Sequence, residues 1–444
     1  MKRMMITLCL TLSMILLFAG CQAKNNESSS KTNTENNVVK EEVKAENEEA
    51  TLRFSWWGSE GRHKALLEAI DVYMDKNPHI TIEAEYGGFD GYYQKLVTQF
   101  AGGTAPDLTP LSVDWIDEIS VKRDLVYDLN ELKEHINIGA FDADFLSKYA
   151  VFENKLVGLP MGVNGMTIAY NKQFFEKFNI PEDTKWDWET IHSIGKRVHE
   201  EDPKAYLLGM LDSRGFLQPY VNQITGNQWI NDDHSLGFDA ASVSEAFAYY
   251  KKLLDDGVLQ PVEESALYPD VSENPQWISG DIGMTFTLAS TITRFKKSLT
   301  DSELAVSMFP IPTDAKTSAV LVNPSNPLAI NKTSEHPEEA AKFASWLLTD
   351  LEAAAILGDV YSVPAVKASM DSVVEKQLID ATVAEAVDIA LQNPGEPVNG
   401  ISGNNELAQL QKDYMEKVAF GKATPEQAAQ ELIDRTIEKL NALK

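Results

Sequence analysis

The sequence predicts an α/β fold made of two lobes, each a mainly parallel sheet flanked by helices, with a hinge between them. Its 444 residues are enough to build two hydrophobic cores. From Thr51 onward, segments with strand periodicity alternate with segments of helical periodicity, which is typical of parallel sheets. The glycine-rich segment "LVGLPMGVNGMTIAYNK" precedes a strand, as expected where a chain crosses between lobes.

The first half shows the element order most clearly. "TLRFSWW" and "HITIEAEY" are predicted strands, with the helix "RHKALLEAIDVYMDKN" between them. "DGYYQKLVTQFAGG" is a second predicted helix, capped by Asp90, and "PDLTPLSV" is a third strand, in which Pro110 is unfavourable. If the strands are parallel, the loops "WWGSEGRH", "GGFDGYY" and "SVDWID" meet at one edge of the sheet.

The second half has further crossing candidates at "VLVNPSNPLAINK" and "VYSVPAVK". "HPEEAAKFASWLLTDLEAAAIL" is a predicted helix or helix pair, and Thr424 caps the terminal helix "TPEQAAQELIDRTIEKLNAL". The predicted boundaries assign residues 51–161 and 320–362 to the first lobe, and residues 162–319 and 363–444 to the second.

Composition argues against several kinds of partner and site. The formal net charge of -28 repels phosphate backbones, so we expect no nucleic-acid partner. The seven histidines have no metal-like spacing, and the sequence lacks G-x-S-x-G, H-E-x-x-H, phosphate-loop and calcium-loop motifs. We therefore predict no metal and no cofactor, and these motifs nominate no catalytic residue.

The N-terminus is a predicted signal peptide covering residues 1–20. Lys2 and Arg3 precede the apolar segment Met4–Ala19, which is too short to span a membrane comfortably. It ends in "LFAGC", which resembles the lipobox of bacterial lipoproteins and implies lipidation of Cys21. The alternative is an uncleaved signal anchor.

Residues 21–50 are predicted to be a disordered tether after the lipidated cysteine. The stretch from residue 22 has no aromatic residue and is mostly Asn, Glu, Lys and Ser, so it cannot bury enough surface to fold. A flexible segment of this length reaches roughly 30 Å. We therefore expect a domain held by lipid at the extracellular face of a bacterial cell membrane. The only cysteines are Cys9 and Cys21, which excludes disulfides from the mature domain.

From about Leu52 to its end, the chain resembles the family 1 extracellular solute-binding proteins, the sugar-capturing subunits of ABC importers. The resemblance rests on the order and spacing of several segments: "HKALLEAIDVYMDKNPHI", "LVTQFAGGTAPDL", "LVYDLNEL", "LVGLPMGVNGMTIAYNK", "ISGDIGMTF", "FPIPTD" and "HPEEAAKFASWLL". It implies the type II periplasmic-binding-protein fold, an oligosaccharide ligand, membrane permease subunits as partners, and no enzymatic activity. A monomer is expected.

An aromatic ring covers the apolar face of a sugar, while carboxylates, amides and guanidinium groups bind its hydroxyls. Trp56 and Trp57 point to opposite sides of a strand, so one is expected in the core and the other in the cleft. Trp57 is favoured for the cleft because it lies nearer the strand end. The alternative is that both belong to the core.

Glu60, Arg62 and His63 follow at the start of a helix, where free N–H groups favour an anion. Arg62 is predicted either to pair with Glu60 or to hold a substrate carboxylate. His63 is a candidate ligand contact, or a structural histidine. "SWWG" followed by Arg-His is similar to the branch that binds oligogalacturonides, which implies a uronic or pectic ligand.

Further site candidates lie in both lobes. Asp90 is either a ligand contact or only a helix cap. The resemblance nominates Asp114 and Trp115 after the third strand, and Gln218 and Tyr220 in "FLQPYVNQ". Weaker candidates are Trp229, Trp277, Thr287 and Tyr361, and Trp277 has core packing as its alternative.

The mechanism implied by the resemblance is capture of a sugar by hinge closure and its delivery to a permease. Two other classes remain open. An exported glycoside hydrolase or polysaccharide lyase would need a carboxylate pair, which 67 acidic residues make available. A sugar sensor or adhesin could use the same two-lobed fold.

Overall fold

A computed structural model describes residues 49–442, apart from residues 232, 269 and 400. The predicted signal peptide, Cys21 and nearly all of the predicted tether lie outside the described residues. The strands are β1 (Ala50–Trp57), β2 (Ile80–Gly87), β3 (Leu108–Pro110), β4 (Val151–Phe152), β5 (Lys155–Leu156), β6 (Gly162–Asn171), β7 (Tyr206–Leu208), β8 (Ile282–Leu288), β9 (Leu304–Ser307), β10 (Val322–Ser325) and β11 (Leu328–Ile330).

The helices are α1 (Glu60–Lys76), α2 (Tyr92–Ala101), α3 (Val113–Ile116), α4 (Ala143–Tyr149), α5 (Lys172–Lys177), α6 (Trp188–Glu201), α7 (Gln218–Thr225), α8 (Ala240–Asp255), α9 (Val262–Ser265), α10 (Pro275–Ile278), α11 (Ile292–Ser298), α12 (Pro337–Thr349), α13 (Leu351–Leu357), α14 (Lys367–Glu375), α15 (Ala381–Gln392), α16 (Asn405–Ala419) and α17 (Pro425–Ala442). The predicted helix pair therefore divides at Asp350, whose side chain caps α13.

The sheet of the first lobe has the strand order β11–β3–β1–β2. β1 pairs in parallel with β2 along its whole length, from Ala50 opposite Ile80 to Trp57 opposite Gly87. β3 is parallel to β1, and β11 is antiparallel to β3. Because three strands are parallel, their carboxyl ends lie at one edge, and the loops after them meet there.

Pro110 is the last residue of β3, which is shorter than the sequence predicts. It lies opposite Leu328, and because proline has no N–H, the next bond comes from Leu111. The N–H of Leu111 donates to the carbonyl of Pro327 at 2.8 Å. The proline thus ends the strand while the ladder to the β11 segment continues.

Two predicted helix caps have different outcomes. Thr424 is confirmed as a cap, because its Oγ1 accepts a hydrogen bond from the N–H of Gln427 at 3.3 Å. The prediction that Asp90 caps the second helix is wrong. Gly91 occupies the cap position of α2 with a φ of 77°, and no side chain caps this helix. A glycine adopts this left-handed backbone without steric cost, so the turn needs no side-chain cap.

The sheet of the second lobe is built around the long strand β6. β8, β9 and β10 all pair with β6 in the antiparallel direction, and β7 is parallel to β8. Four of its five strands therefore run in the same direction, with β6 inserted among them in the opposite direction. Helices pack around both sheets, and the predicted α/β fold with two lobes is confirmed.

Three chain segments cross between the lobes side by side. The N–H groups of Leu159 and Met161 donate to the carbonyls of Leu328 and Ser325, both at 3.0 Å. Beside them, the N–H of Val163 donates to the carbonyl of Val363 at 2.7 Å. β10 belongs to the second sheet, so the middle crossing lies between β10 and β11 rather than at the predicted boundary near residue 320.

Candidate ligand-binding site

A cavity of about 370 Å³ lies between the two lobes, and we call it the inter-lobe cavity. The first lobe contributes Val113 of α3, which follows β3 at the carboxyl edge of the sheet. The second lobe contributes α7, the turn after it, and residues of the segments 317–323, 396–399 and 402–403. The cavity therefore lies where parallel strands of the first lobe end, as expected for a ligand site in an α/β fold.

Amide side chains dominate the polar lining of this cavity. They are Gln218, Asn222, Asn227, Gln228, Asn323 and Asn399. Gln218 is 6% exposed, and its Nε2 donates to Gln411 Oε1 at 3.0 Å and to the carbonyl of Ser402 at 3.3 Å. Because an amide both donates and accepts hydrogen bonds, such a lining suits a ligand rich in hydroxyl groups.

Trp229 contributes an aromatic ring to the same wall. Its ring stacks on Phe238 with centroids 4.0 Å apart, and only 1% of the residue is exposed. The indole Nε1 is buried and has no hydrogen-bond partner among the described residues. A buried N–H without a partner costs about 1–3 kcal/mol, so an acceptor on a bound ligand would recover this loss.

Arg214 is a cationic group of the inter-lobe cavity that the sequence analysis did not select. It lies in a π-helical turn, Ser213–Leu217, that continues directly into α7. Its Nη2 donates to the carbonyl of Gly403 at 2.8 Å, which holds the guanidinium against the segment 396–403. One feature of the sequence could have indicated Arg214. It lies four residues before the selected candidate Gln218, about one helical turn away.

The segment 394–396 ties the cavity wall to helix α4. The hydroxyl of Tyr149 donates to the carbonyl of Gly395 at 2.7 Å, and Lys148 pairs with Glu396 at 3.0 Å. Burial raises the pKa of Tyr149, so this hydroxyl stays a donor at neutral pH. Because Glu396 also lines the cavity, a ligand there lies next to the contact between this segment and α4.

Five aromatic residues form a cluster at the carboxyl edge of the first sheet, which we call the rim cluster: Trp57, Phe89, Tyr92, Tyr93 and Trp115. Phe89 is 54% exposed and stacks on Trp115 at 5.6 Å with an interplanar angle of 12°. Trp57 is 6% exposed and lies beneath these rings. Val113, on the same short helix as Trp115, lines the inter-lobe cavity, so the cluster borders that cavity.

Trp56 and His63 support the end of β1 from the other side of the sheet. Trp56 is fully buried and stacks on Tyr86 at 5.1 Å, so the two adjacent tryptophans point in opposite directions as predicted. The Nε1 of Trp56 donates to His63 Nδ1 at 3.0 Å. Glu60 is exposed in the first turn of α1.

Arg62 contacts the backbone rather than Glu60. Its Nε donates to the carbonyl of Val360 at 2.9 Å, and its Nη1 donates to the carbonyl of Trp57 at 3.0 Å. The guanidinium carbon lies 4.1 Å from the centre of the Tyr361 ring. Arg62 and Tyr361 line a separate cavity of about 290 Å³ at the hinge, together with residues of the second lobe.

The remaining candidates are dispersed. Trp277 is fully buried, and its Nε1 donates to Ser298 Oγ at 2.9 Å. Thr287 is buried in β8 and bonds to Thr291 at 2.6 Å. Asp90 is exposed, and Tyr220 lines another cavity, described below. The side chain of Asp114 lies outside the described part of the chain.

Metal and membrane features were searched in the same residues. Within residues 49–442, excluding those not described, no group of three or more His, Cys, Asp or Glu side chains is arranged to hold a metal ion. Among the described helices, none has both the length and the apolar character that crossing a membrane requires.

A two-lobed α/β fold with a ligand-sized cavity between the lobes is an architecture suited to binding a solute. The chain belongs to the bacterial extracellular solute-binding proteins, whose family model matches residues 57–354. The family resemblance deduced from the sequence is thereby confirmed. The activity that this family description states is the binding of a solute rather than a catalysed reaction.

Three relatives illustrate the similarity. A binding protein of Brucella abortus (strain 2308) is 25% identical over 365 residues, which cover 81% of this chain and 85% of that protein. A periplasmic solute-binding protein from Pectobacterium atrosepticum SCRI1043 is 29% identical, with a TM-score of 0.72 over 88% of this chain and 99% of that chain. A periplasmic oligogalacturonide-binding protein from Yersinia enterocolitica, in complex with saturated digalacturonic acid, is 25% identical, with a TM-score of 0.67 over 88% and 99%.

Proposed function

We propose that the protein is the carbohydrate-binding subunit of an ABC importer, and that it captures an oligosaccharide in the inter-lobe cavity. The observation that carries this proposal is the amide-rich lining of that cavity, to which the first lobe contributes Val113. Six amides supply both donors and acceptors for sugar hydroxyls, and Trp229 supplies an aromatic ring and an unpaired N–H.

A uronic oligosaccharide fits this cavity better than a neutral one, because Arg214 lines it and the carboxylate of Glu396, which also lines it, is paired with Lys148. A guanidinium binds a carboxylate through two parallel hydrogen bonds, which a neutral sugar cannot match. The Yersinia relative, crystallised with digalacturonic acid, supports the same ligand class. In this proposal Arg214 takes the part that the sequence analysis gave to Arg62, because Arg214 lines the inter-lobe cavity whereas Arg62 lines the separate cavity at the hinge.

The proposed cycle begins with ligand binding on the second lobe, which contributes most of the cavity lining. The first lobe then closes over the ligand with α3, and the closed form is delivered to the permease. Lipidation at Cys21 and the tether keep the monomeric domain near the membrane, and ATP hydrolysis takes place in other subunits.

Titration calorimetry of the purified protein tests the proposal against matched panels of oligogalacturonides and neutral oligosaccharides. We expect tight binding of digalacturonic or trigalacturonic acid at one site per chain. Arg214→Ala should weaken that binding by 10- to 100-fold, about 1.5–3 kcal/mol, because the ligand carboxylate loses a charged partner. Arg123→Ala removes an exposed arginine of the first lobe, paired with Glu118, and should leave binding unchanged.

Two outcomes would contradict the proposal. If no glycan of either panel binds, the protein is not a carbohydrate-binding subunit. If reducing ends or unsaturated products accumulate during incubation, the protein is a glycan-degrading enzyme, which was the alternative from the sequence. If only neutral sugars bind, and Arg214→Ala does not affect their binding, the protein is still a carbohydrate-binding subunit, but the proposed uronic ligand is wrong.

A further inference from the structure

A second cavity, of about 700 Å³, lies within the second lobe, and we call it the second-lobe cavity. Its walls are the start of α6, one side of α7, part of α8 and the segment 312–316. It shares no lining residue with the inter-lobe cavity. Gln218 and Tyr220 are two residues apart on α7, so they point in different directions, and each lines a different cavity.

Three aromatic rings form one wall of this cavity: Trp188, Tyr220 and Tyr249. Tyr220 and Tyr249 stack with centroids 5.2 Å apart, and Trp188 lies 5.4 Å from Tyr220. The wall is held in place, because Trp188 Nε1 donates to Gln223 Oε1 at 2.7 Å and the Tyr249 hydroxyl donates to the carbonyl of Trp188 at 2.5 Å. Fixed rings of this kind bind the apolar face of a sugar without first having to be ordered.

The hydroxyl of Tyr220 is left for a ligand. The residue is only 9% exposed, yet its hydroxyl forms no hydrogen bond with any described residue. Burial raises the pKa of Tyr220, and the nearby carboxylates of Glu245 and Asp314, which also line the cavity, raise it further. The phenol therefore remains protonated at neutral pH and offers an O–H donor to an acceptor in the cavity.

The charged groups of this cavity have both signs, which suits a neutral ligand that can both donate and accept hydrogen bonds. The charged side chains that line the cavity are four carboxylates and two ammonium groups: Asp187, Glu189, Glu245, Asp314, Lys252 and Lys316. An anion would meet four carboxylates, and an organic cation would still meet two ammonium groups. A neutral ring bearing hydroxyls uses both, because its O–H groups donate to carboxylates and its oxygens accept from ammonium groups.

We propose that the second-lobe cavity is a second carbohydrate site, which binds a neutral sugar unit against Tyr220 and Tyr249, independently of the ligand between the lobes. This goes beyond the proposed function, which concerns the inter-lobe cavity alone. The site binds its sugar without requiring the two lobes to close, because all of its walls belong to the second lobe.

Fluorine NMR of the protein labelled with 5-fluorotryptophan can observe both cavities separately. The chain has eight tryptophans, of which Trp188 lines the second-lobe cavity and Trp229 the inter-lobe cavity. Trp188→Phe and Trp229→Phe assign the two signals. Maltotriose and cellotriose are the neutral probes, and digalacturonic acid is the probe for the inter-lobe cavity. We expect a neutral trisaccharide to shift the Trp188 signal even when digalacturonic acid saturates the Trp229 signal.

Two conservative variants test the contacts. Tyr220→Phe removes only the hydroxyl, and Glu245→Gln removes only a charge, so the fold should survive, which the other tryptophan signals verify. Each should raise by about tenfold the trisaccharide concentration that half-saturates the Trp188 shift, as expected for one lost hydrogen bond to a sugar. Glu263→Gln, at an exposed position of α9 outside the cavity, is the matched control and should change nothing.

The proposal is overturned if neither trisaccharide shifts the Trp188 signal. It is also overturned if Tyr220→Phe and Glu245→Gln both give the same titration as the wild type. A Trp188 shift that disappears when digalacturonic acid is bound would also overturn it, because the two sites would then not be independent. Failure of the proposed function is seen separately, as a Trp229 signal that responds to no glycan.

Discussion

Arg62 joins the carboxyl end of β1 to the last chain segment that crosses the hinge. Its guanidinium donates to the carbonyls of Trp57 and Val360 and lies over the ring of Tyr361. Gly58 makes room for this side chain, because a Cβ at that position would lie 2.5 Å from Arg62 Cδ. Three contacts of this kind fix the arginine and hold the crossing segment against the first lobe.

Arg62→Ala should therefore lower the free energy of unfolding by about 2–4 kcal/mol, since it removes two charge-assisted hydrogen bonds and a cation–π contact. Lys64→Ala, at an exposed position on the same helix, is the control and should change stability by less than about 0.5 kcal/mol. Urea unfolding measures both. Unchanged stability together with lost galacturonide binding would instead support the ligand role predicted from the sequence.

For single residues, the sequence predicts the direction of a side chain more reliably than the residues that it contacts. Successive side chains of a strand point to opposite faces, so the opposite directions of Trp56 and Trp57 follow from their adjacent positions in the sequence. Two partners of Arg62, Val360 and Tyr361, lie about 300 positions away, and nothing local encodes them. Arg214 was missed because its place in the cavity depends on a π-helical turn and on a loop near Gly403, neither of which has a periodic pattern.

Among the elements, β1 and β3 are joined by one buried tyrosine of the rim cluster. The hydroxyl of Tyr92 lies 2.5 Å from Ser55 Oγ and 3.0 Å from Thr109 Oγ1. Burial raises the pKa of Tyr92 to about 12, while the two hydroxyl contacts oppose part of that rise. The tyrosine thus fixes α2 against both strands at the edge where the loops meet.

Tyr92→Phe should change how stability depends on alkaline pH. The pKa of Tyr92 is higher in the folded protein than its ordinary value of 10.0, so its contribution is complete below pH 10 and is lost as pH rises through about 12. The variant should therefore lose less stability than the wild type between pH 10 and 12. Below pH 10 it should be less stable by about 1–3 kcal/mol, because Ser55 and Thr109 lose a partner. Parallel pH profiles in the two proteins, measured by denaturant unfolding, would contradict this role.

The hinge crossings depend on close backbone contact at the start of β6. A Cβ on Gly162 would lie 2.0 Å from the carbonyl oxygen of Tyr361 and 2.8 Å from that of Val363. Because both neighbours are backbone atoms, they cannot move aside as a side chain would. Only a glycine lets the first and last crossing segments lie this close together.

Gly162→Ala should destabilise the protein by about 1–3 kcal/mol through overpacking at the hinge. Gly139→Ala is the matched control, since a Cβ there meets nothing within 4 Å. Thermal unfolding of the two variants gives the comparison. Equal melting temperatures would mean that the crossing segments can separate at little cost.

For the whole molecule, the alternation of strands and helices and the glycine-rich crossing were enough to predict two lobes. The cavity was harder to predict, because most of its lining comes from loops such as 226–229 and 396–403, whose positions follow from packing. Trp229 and Gln218 were selected, but the five other amides carry no pattern that distinguishes them from surface residues. Gln218 and Tyr220 were predicted to contact the same ligand. Because they are two residues apart on α7, their side chains point in directions about 200° apart around the helix axis, and they line different cavities.

Capture between lobes requires that the lobes approach each other when the ligand binds. The described residues contain no cysteine, since Cys9 and Cys21 are the only two in the chain. Spin labels can therefore be placed at chosen positions after both are replaced by serine. Gln94 on α2 and Lys412 on α16 are exposed and lie in different lobes.

Double electron–electron resonance between labels at Gln94→Cys and Lys412→Cys measures the distance between the lobes with and without an oligosaccharide that binds in calorimetry. We predict that the ligand shortens the mean distance between the labels and narrows its distribution. In the labelled protein that also carries Arg214→Ala, the same concentration of galacturonide should cause no such change. An identical distribution in the presence and absence of a saturating ligand would contradict capture between the lobes.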